Sequence, residues 1–188
     1  MSKSKNNKIS NVLFAVFILL LLIPQTRQPI QVFLQKGLAL FSPAVEDKSD
    51  QERLDTYQWN LTDLNGVSYD FKSAEGKVVL INFWATWCPP CIAEMPSLVK
   101  LHDDYKGKIQ FLFVSNEDKA VIAAFLKKRG FNLPVHQPVS AVPEALNTSS
   151  IPRTLLIGKD GSIVIDKTGA SNWNSDTVRE TIDKLLLE

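Results

Sequence analysis

The sequence predicts an α/β fold: a three-layer sandwich with a mixed central β-sheet and helices on both faces, entered through an N-terminal β-hairpin and carrying a further strand and helix in its middle. Three observations lead there. Residues 77–84 (KVVLINFW) are, past the first, apolar and rich in β-branched side chains apart from Asn82, the composition of a strand covered on both faces. A helical pattern follows at once, and a second apolar run, 109–115, follows the helix, so the three make a βαβ unit. Past residue 155 come two short strands around a turn and a last amphipathic helix. The order hairpin, βαβ, αβ, hairpin, α closes as a layered sheet.

The elements read as follows from the N-terminus. Residues 1–8 are a polar, basic head carrying Lys3, Lys5 and Lys8. An uninterrupted apolar run of twelve residues, 12–23, ends at Pro24. A basic head before a short apolar run is the layout of a secretory signal. A spanning helix wants about 20 residues, so the run is short; counting 9–23 with polar flanks at the headgroups makes a thin span possible, within an anchor segment of 9–28. No small-x-small cleavage site lies just beyond Ile23, and no cysteine sits near the N-terminus to take a lipid. The expectation is an uncleaved signal anchor, single-pass, with the lysines cytoplasmic and the rest exported. Residues 29–54 are an amphipathic segment and a linker. Ile30, Phe33, Leu34, Leu38 and Phe41 recur at helical spacing, which suits either a membrane surface or packing on the domain or a partner. Residues 42–55 carry Pro, Ser and acids without periodicity and read as the linker.

The folded domain is expected over 55–188. Residues 57–61 alternate as a strand, Asp63-Leu64-Asn65-Gly66 is a turn, and 67–71 return. A helical turn over 71–76 leads to the central strand. The main helix is expected from 89 to 105, with Gly107 as its stop. A helix through Arg129 follows the 109–115 strand. Its Lys127-Lys128-Arg129 end complements the helix dipole rather than marking a binding patch. Residues 133–136 read as a short edge strand and 143–146 as a brief helix. Strands at 155–158 and 163–166 flank a turn at Lys159-Asp160-Gly161-Ser162, the second being the closing edge. Asn174-Ser175-Asp176 cap the last helix, whose Val178, Ile182, Leu185 and Leu186 face inward.

Composition excludes several function classes. The net charge is +1, and without the three N-terminal lysines it becomes −2. No basic patch points to nucleic acid. The chain has 2 cysteines and 2 histidines.

The chemistry concentrates in Trp87-Cys88-Pro89-Pro90-Cys91. Prolines are accepted in the first turn of a helix, so Cys88 belongs at the N-cap and Cys91 within the first turn. The positive end of a helix favours a thiolate. Cys91 is close enough to attack a mixed disulfide at Cys88, which is dithiol–disulfide exchange. Two bland readings compete. Structural zinc needs four ligands, and neither His102 nor His136 stands in a ligand motif. A purely structural bridge would close a tiny loop and gain little.

The block FWATWCPPCIAEMP resembles the active site of the thioredoxin superfamily, and more narrowly its membrane-anchored periplasmic branch, the TlpA/ResA type. The narrower resemblance rests on Asn82 six residues before Cys88, Glu94 three after Cys91, and Pro96. It covers roughly Tyr57 to the C-terminus and implies a thioredoxin-like fold, with the strand–helix insertion as the mark of that branch. It places Pro152 as a cis-proline facing the cysteines. The carbonyl and amide of Ile151 would then be bare for a substrate segment to pair with.

The roles that follow are expectations. Cys88 is the nucleophile and the more exposed thiol; Cys91 is the buried resolving thiol. Glu94 is either the acceptor of the Cys91 proton, with a pKa raised by burial, or a carboxylate that stabilises the helix dipole. Trp87 and Trp84 shape the surface, Trp84 with core packing as the alternative. Substrate binds over Trp87, Ile151 and Pro152, and Arg153 biases partners towards acidic segments. Pro89 and Pro90 leave few backbone donors for the Cys88 sulfur, which favours a reducing dithiol.

The resemblance implies a membrane-tethered thiol–disulfide oxidoreductase in the bacterial inner membrane, its catalytic domain periplasmic. It would take electrons from a membrane thiol reductant and reduce disulfides in exported proteins, for example in cytochrome c maturation. No cofactor is implied beyond the Cys88–Cys91 disulfide, and no metal. An oxidant or isomerase on the same fold is one alternative. A non-catalytic redox-sensing interaction domain is another.

Overall fold

The computed structural model describes residues 3–188. Met1 and Ser2 of the basic head, and the side chains of Lys3 and Lys5, lie outside the described residues. Two helices come first, α1 (Lys3–Leu22) and α2 (Pro24–Leu38). Among the described residues no helix is long and apolar enough to cross a membrane. This corrects the expected single-pass anchor and the inner-membrane and periplasmic placement that rested on it. The reason is length. The apolar part of α1 starts at Val12, and its eleven residues rise about 16 Å against a hydrocarbon core of about 30 Å. Ile23 then breaks from helical geometry, and α2 is rich in glutamine.

The amphipathic segment buries one residue against the domain, one outside the apolar set that marked it. Val32 of α2 is buried with Ile92 and Ala93. Phe33, Leu34, Leu38 and Phe41, the apolar set read from the spacing, remain exposed. The stretch read as a linker lies along the sheet. The Glu46 N–H donates to the Val164 carbonyl (2.9 Å), the Ile163 N–H to the Glu52 carbonyl (2.8 Å) and the Leu54 N–H to the Gly161 carbonyl (2.9 Å).

A single seven-stranded mixed sheet follows, in the order β2-β1-β5-β4-β3-β6-β7. The hairpin β1 (Asn60–Asp63) and β2 (Ser68–Asp70) turns because the Asp63 carboxylate accepts from the Asn65 and Val67 N–H groups, with Gly66 at φ 87°. Central β3 (Val79–Phe83) is buried at every residue. It lies parallel to β4 (Gln110–Val114) and antiparallel to β6 (Arg153–Ile157). The strand expected at an edge, β5 (Val135–Pro138), sits inside the sheet, parallel to β4 and antiparallel to β1. The hairpin covers the side that would have been free. β7 (Ile163–Thr168) pairs with β6, and the 46–54 stretch lies on its outer side.

Pleating divides the core. Leu80, Phe111, Phe113 and Leu156 pack with residues of α3 (Pro89–Tyr105), α4 (Lys119–Arg129) and α5 (Asp176–Leu187). On the opposite face, Val79, Ile81, Leu112 and Leu155 pack under Trp59, Phe71 and Leu146, the last two from short 3-10 turns. Gly130, at φ 68°, stops α4. Ser175 caps α5 through the Val178 N–H. This mixed sheet with packed helices is the expected fold class. It presents the end of β3, the start of α3 and the start of β6 at one place.

Candidate active site

β3 delivers the chain to that place, and Trp84-Ala85-Thr86-Trp87 turns it into α3. The loop is clamped from the next crossover: the Glu117 carboxylate accepts from the Thr86 N–H (2.5 Å) and the Thr86 hydroxyl (2.7 Å). Cys88 is the N-cap of α3, and its sulfur accepts from the Cys91 N–H over 3.3 Å. Pro89 and Pro90 fill the first turn, so neither supplies an N–H. Cys88 and Cys91 are joined as a disulfide, S–S 2.06 Å.

The expected contrast in exposure does not appear in this oxidised form: Cys88 is 2% and Cys91 1% exposed. The segment that leads into β6 lies against the pair. The Ile151–Pro152 bond is cis, and the Ile151 carbonyl oxygen lies 3.7 Å from Cys88 Sγ. Trp87 is 64% exposed beside the pair, whereas Trp84 is buried against Phe125. A cavity of about 380 Å³ opens between them, lined by Phe83, Trp84, Trp87, Glu117, Leu146 and Ile151 among others.

Glu94 stands one turn beyond Cys91, in the second turn of α3, and is buried. Four donors hold it. Asn82 Nδ2 (2.9 Å) and the Thr154 hydroxyl (3.4 Å) donate to Oε1. The Ser171 N–H (3.3 Å) and the Trp173 indole N–H (3.1 Å) donate to Oε2. Donors to a carboxylate pull its pKa down, while loss of water pushes it up. Burial dominates here, and the Glu94 pKa is raised to about 8. A buried carboxyl with that proton affinity can take or return a proton near neutral pH.

The structure thus brings Cys88, Cys91, Ile151 and Pro152 together beside the exposed Trp87, with Glu94 on the buried side of α3. Sequence reasoning missed Thr154, Ser171 and Trp173. Asn82, a lone polar residue in an apolar strand, was the one visible sign of a buried partner. Arg153 differs from expectation: it makes a two-pronged pair with Asp166 (2.9 and 2.5 Å) and also donates to the Asn147 carbonyl. Its charge is matched inside the fold rather than offered to partners. Among the described residues no group of three or more His, Cys, Asp or Glu is placed to hold a metal ion.

Comparison with known proteins places the chain in a family. A family model described as Redoxin matches residues 42–185. A thiol-disulfide oxidoreductase ResA of Bacillus cereus is 31% identical over 163 residues, which span 84% of this chain and 87% of that protein. ResA of Halalkalibacterium halodurans is 37% identical over 112 residues, 58% of this chain and 64% of that protein. Among solved structures, a thiol:disulfide interchange protein of the thioredoxin family from Chlorobium tepidum TLS superposes with a TM-score of 0.58 at 24% identity. The match covers 73% of this chain and 99% of that one, a likeness of fold.

Proposed function

The chain belongs to the Redoxin family and is a thiol-disulfide oxidoreductase, and from that premise we propose that it works as a reductant of protein disulfides. The observation that carries the proposal is the buried Glu94 carboxyl one turn beyond Cys91, held by four donors with a pKa near 8.

In the reduced protein the Cys88 thiolate attacks one sulfur of a substrate disulfide. A Cys88–substrate disulfide forms, and the first substrate sulfur leaves as a thiolate that takes a proton from water. Glu94, as carboxylate, accepts the Cys91 proton. The Cys91 thiolate then attacks Cys88 Sγ, closing the Cys88–Cys91 disulfide and releasing the second substrate thiolate. Two electrons pass from the protein to the substrate, and Glu94 returns its proton to solvent. A separate thiol reductant restores the dithiol by the same exchange in reverse. Trp87 and the backbone of Ile151 hold the substrate segment over Cys88. The cysteine pair of an apocytochrome c is the substrate type implied by the ResA resemblance.

The reducing direction is supported by the paucity of donors at Cys88. The Cys91 N–H is the backbone donor that reaches its sulfur. Fewer donors stabilise the thiolate less and make the dithiol a better reductant. The test is a trap. Cys91→Ser in the full chain should accumulate a mixed disulfide with a disulfide-bonded protein, through Cys88. Cys88→Ser should accumulate none. Trapping through Cys91 instead would reverse the two roles.

A further inference from the structure

α2 is the element that the redox chemistry leaves without a role. Val32 packs on Ile92 and Ala93 of α3. The Gln28 side-chain amide donates to the Thr86 carbonyl over 3.1 Å, two residues before Cys88. Together these fix the helix beside the reaction loop. Between α2 and the start of α3 runs a groove of about 530 Å³, with Arg27, Gln31, Leu34 and Gln35 on one bank and Trp87 and Pro89 on the other. Trp87 also lines the cavity on the Ile151 side. Its exposed ring is therefore a ridge between two clefts, with Cys88 next to it in the chain.

The lining has the chemistry of a peptide site. Positions 27, 28, 31, 34 and 35 share one helix face, and that face borders the cysteine motif. Gln31 and Gln35 are half-buried. Among the described residues, Gln28 is the glutamine of this face whose amide is hydrogen-bonded. A primary amide offers acceptor and donors together, the complement of a peptide group. Arg27 is the one charged residue of the lining.

We propose that α2 builds a second substrate subsite: the groove takes an extended polypeptide segment on the side of the reacting cysteine away from Ile151. Gln31 and Gln35 hold its backbone, and Arg27 favours an acidic side chain. This rests on the reading that Cys88 attacks protein disulfides. A polypeptide cysteine seated over Cys88 carries chain in two directions. One pairs along Ile151, and the other crosses Trp87 into the groove. A small disulfide has no chain to place there.

The experiment compares the reduced full chain acting on oxidised glutathione and on disulfide-linked peptides that carry about six residues on either side of the cysteine. The flank holds Asp in one peptide set and Lys in the other. In Gln31→Ala/Gln35→Ala, the ratio of kcat/KM for peptide to that for glutathione disulfide should fall about tenfold, as expected for losing two hydrogen bonds. Arg27→Glu should reverse the preference between Asp and Lys flanks. A ratio unchanged in the double variant, including one unchanged because both activities fall together, overturns the proposal. So does a flank preference that Arg27→Glu leaves alone. The underlying reading fails separately, before any variant is made, if the wild-type chain reduces glutathione disulfide but no peptide disulfide.

Discussion

The Trp173 indole N–H donates to Glu94 Oε2 over 3.1 Å across 79 residues of sequence. A loop between β7 and α5 thereby holds one oxygen of a carboxyl whose other oxygen is held from the sheet by Asn82 and Thr154. The Trp173 backbone N–H is itself anchored on Ser97, one turn further along α3 (3.1 Å). Loop, helix and sheet meet on one carboxyl.

Trp173→Phe removes the donor and keeps most of the apolar volume. A hydrogen bond to a charged group is worth about 1.5–3 kcal/mol, so the proton affinity of Glu94 should rise about tenfold or more. The pH profile of disulfide reduction should then inflect about one unit or more higher than in the wild type, and Glu94→Gln should lose that inflection altogether. An inflection that stays in place in Trp173→Phe would show that the indole donor has no influence on the carboxyl.

Stability should fall as pH rises. The Glu94 pKa is raised from its ordinary 4.5 to about 8 by burial. Between those values the folded protein keeps a proton that the unfolded chain has released. The contribution is therefore fully present below about 4.5 and is lost as pH rises through about 8, with a slope of up to about 1.4 kcal/mol per pH unit. Urea midpoints of the oxidised protein at several pH values between 5 and 8 measure it, and Glu94→Gln should flatten the curve. A wild-type curve as flat as that of the variant would contradict the buried, protonated carboxyl.

Much of the domain is legible in the sequence because its signals are local. Capping and apolar periodicity place α3 at the residues observed, and the CxxC places Cys88 at its N-cap. The failures are non-local. The position of β5 depends on β1 of the hairpin, whose paired residues lie 73 or more positions earlier, and nothing within 133–136 announces that partner. Thr154, Ser171 and Trp173 read as strand and loop residues because their relation to Glu94 exists only in the folded chain. The apolar spacing of 30–41 marks a helix, but not that Val32 is the residue it buries. The apolar run of α1 reads as a thin span only with its polar flanks, and its own length does not reach across.

Pro90→His introduces a backbone N–H into the first turn of α3, within reach of the Cys88 sulfur. If that donor stabilises the thiolate by about 1.5 kcal/mol, the reduction potential should become more oxidising by about 30 mV. Equilibration with glutathione buffers reads it. A more reducing potential in Pro90→His would contradict the role given to the two prolines.

Arg153→Met should act on stability and not on partner choice, because the guanidinium is engaged with Asp166 and with the Asn147 and Ala145 carbonyls. A loss of about 1–3 kcal/mol in urea unfolding is expected. The preference between acidic and basic peptide disulfides should be unchanged. A clear change in that preference would return Arg153 to the substrate surface.

If Cys88 and Cys91 form a reducing dithiol, the reduction potential of the full chain is set accordingly. Equilibration with dithiothreitol and glutathione buffers should give a value near or below about −250 mV, in the range of thioredoxin. A value near about −120 mV, in the range of the strong oxidant DsbA, would contradict it and make the protein a donor of disulfides.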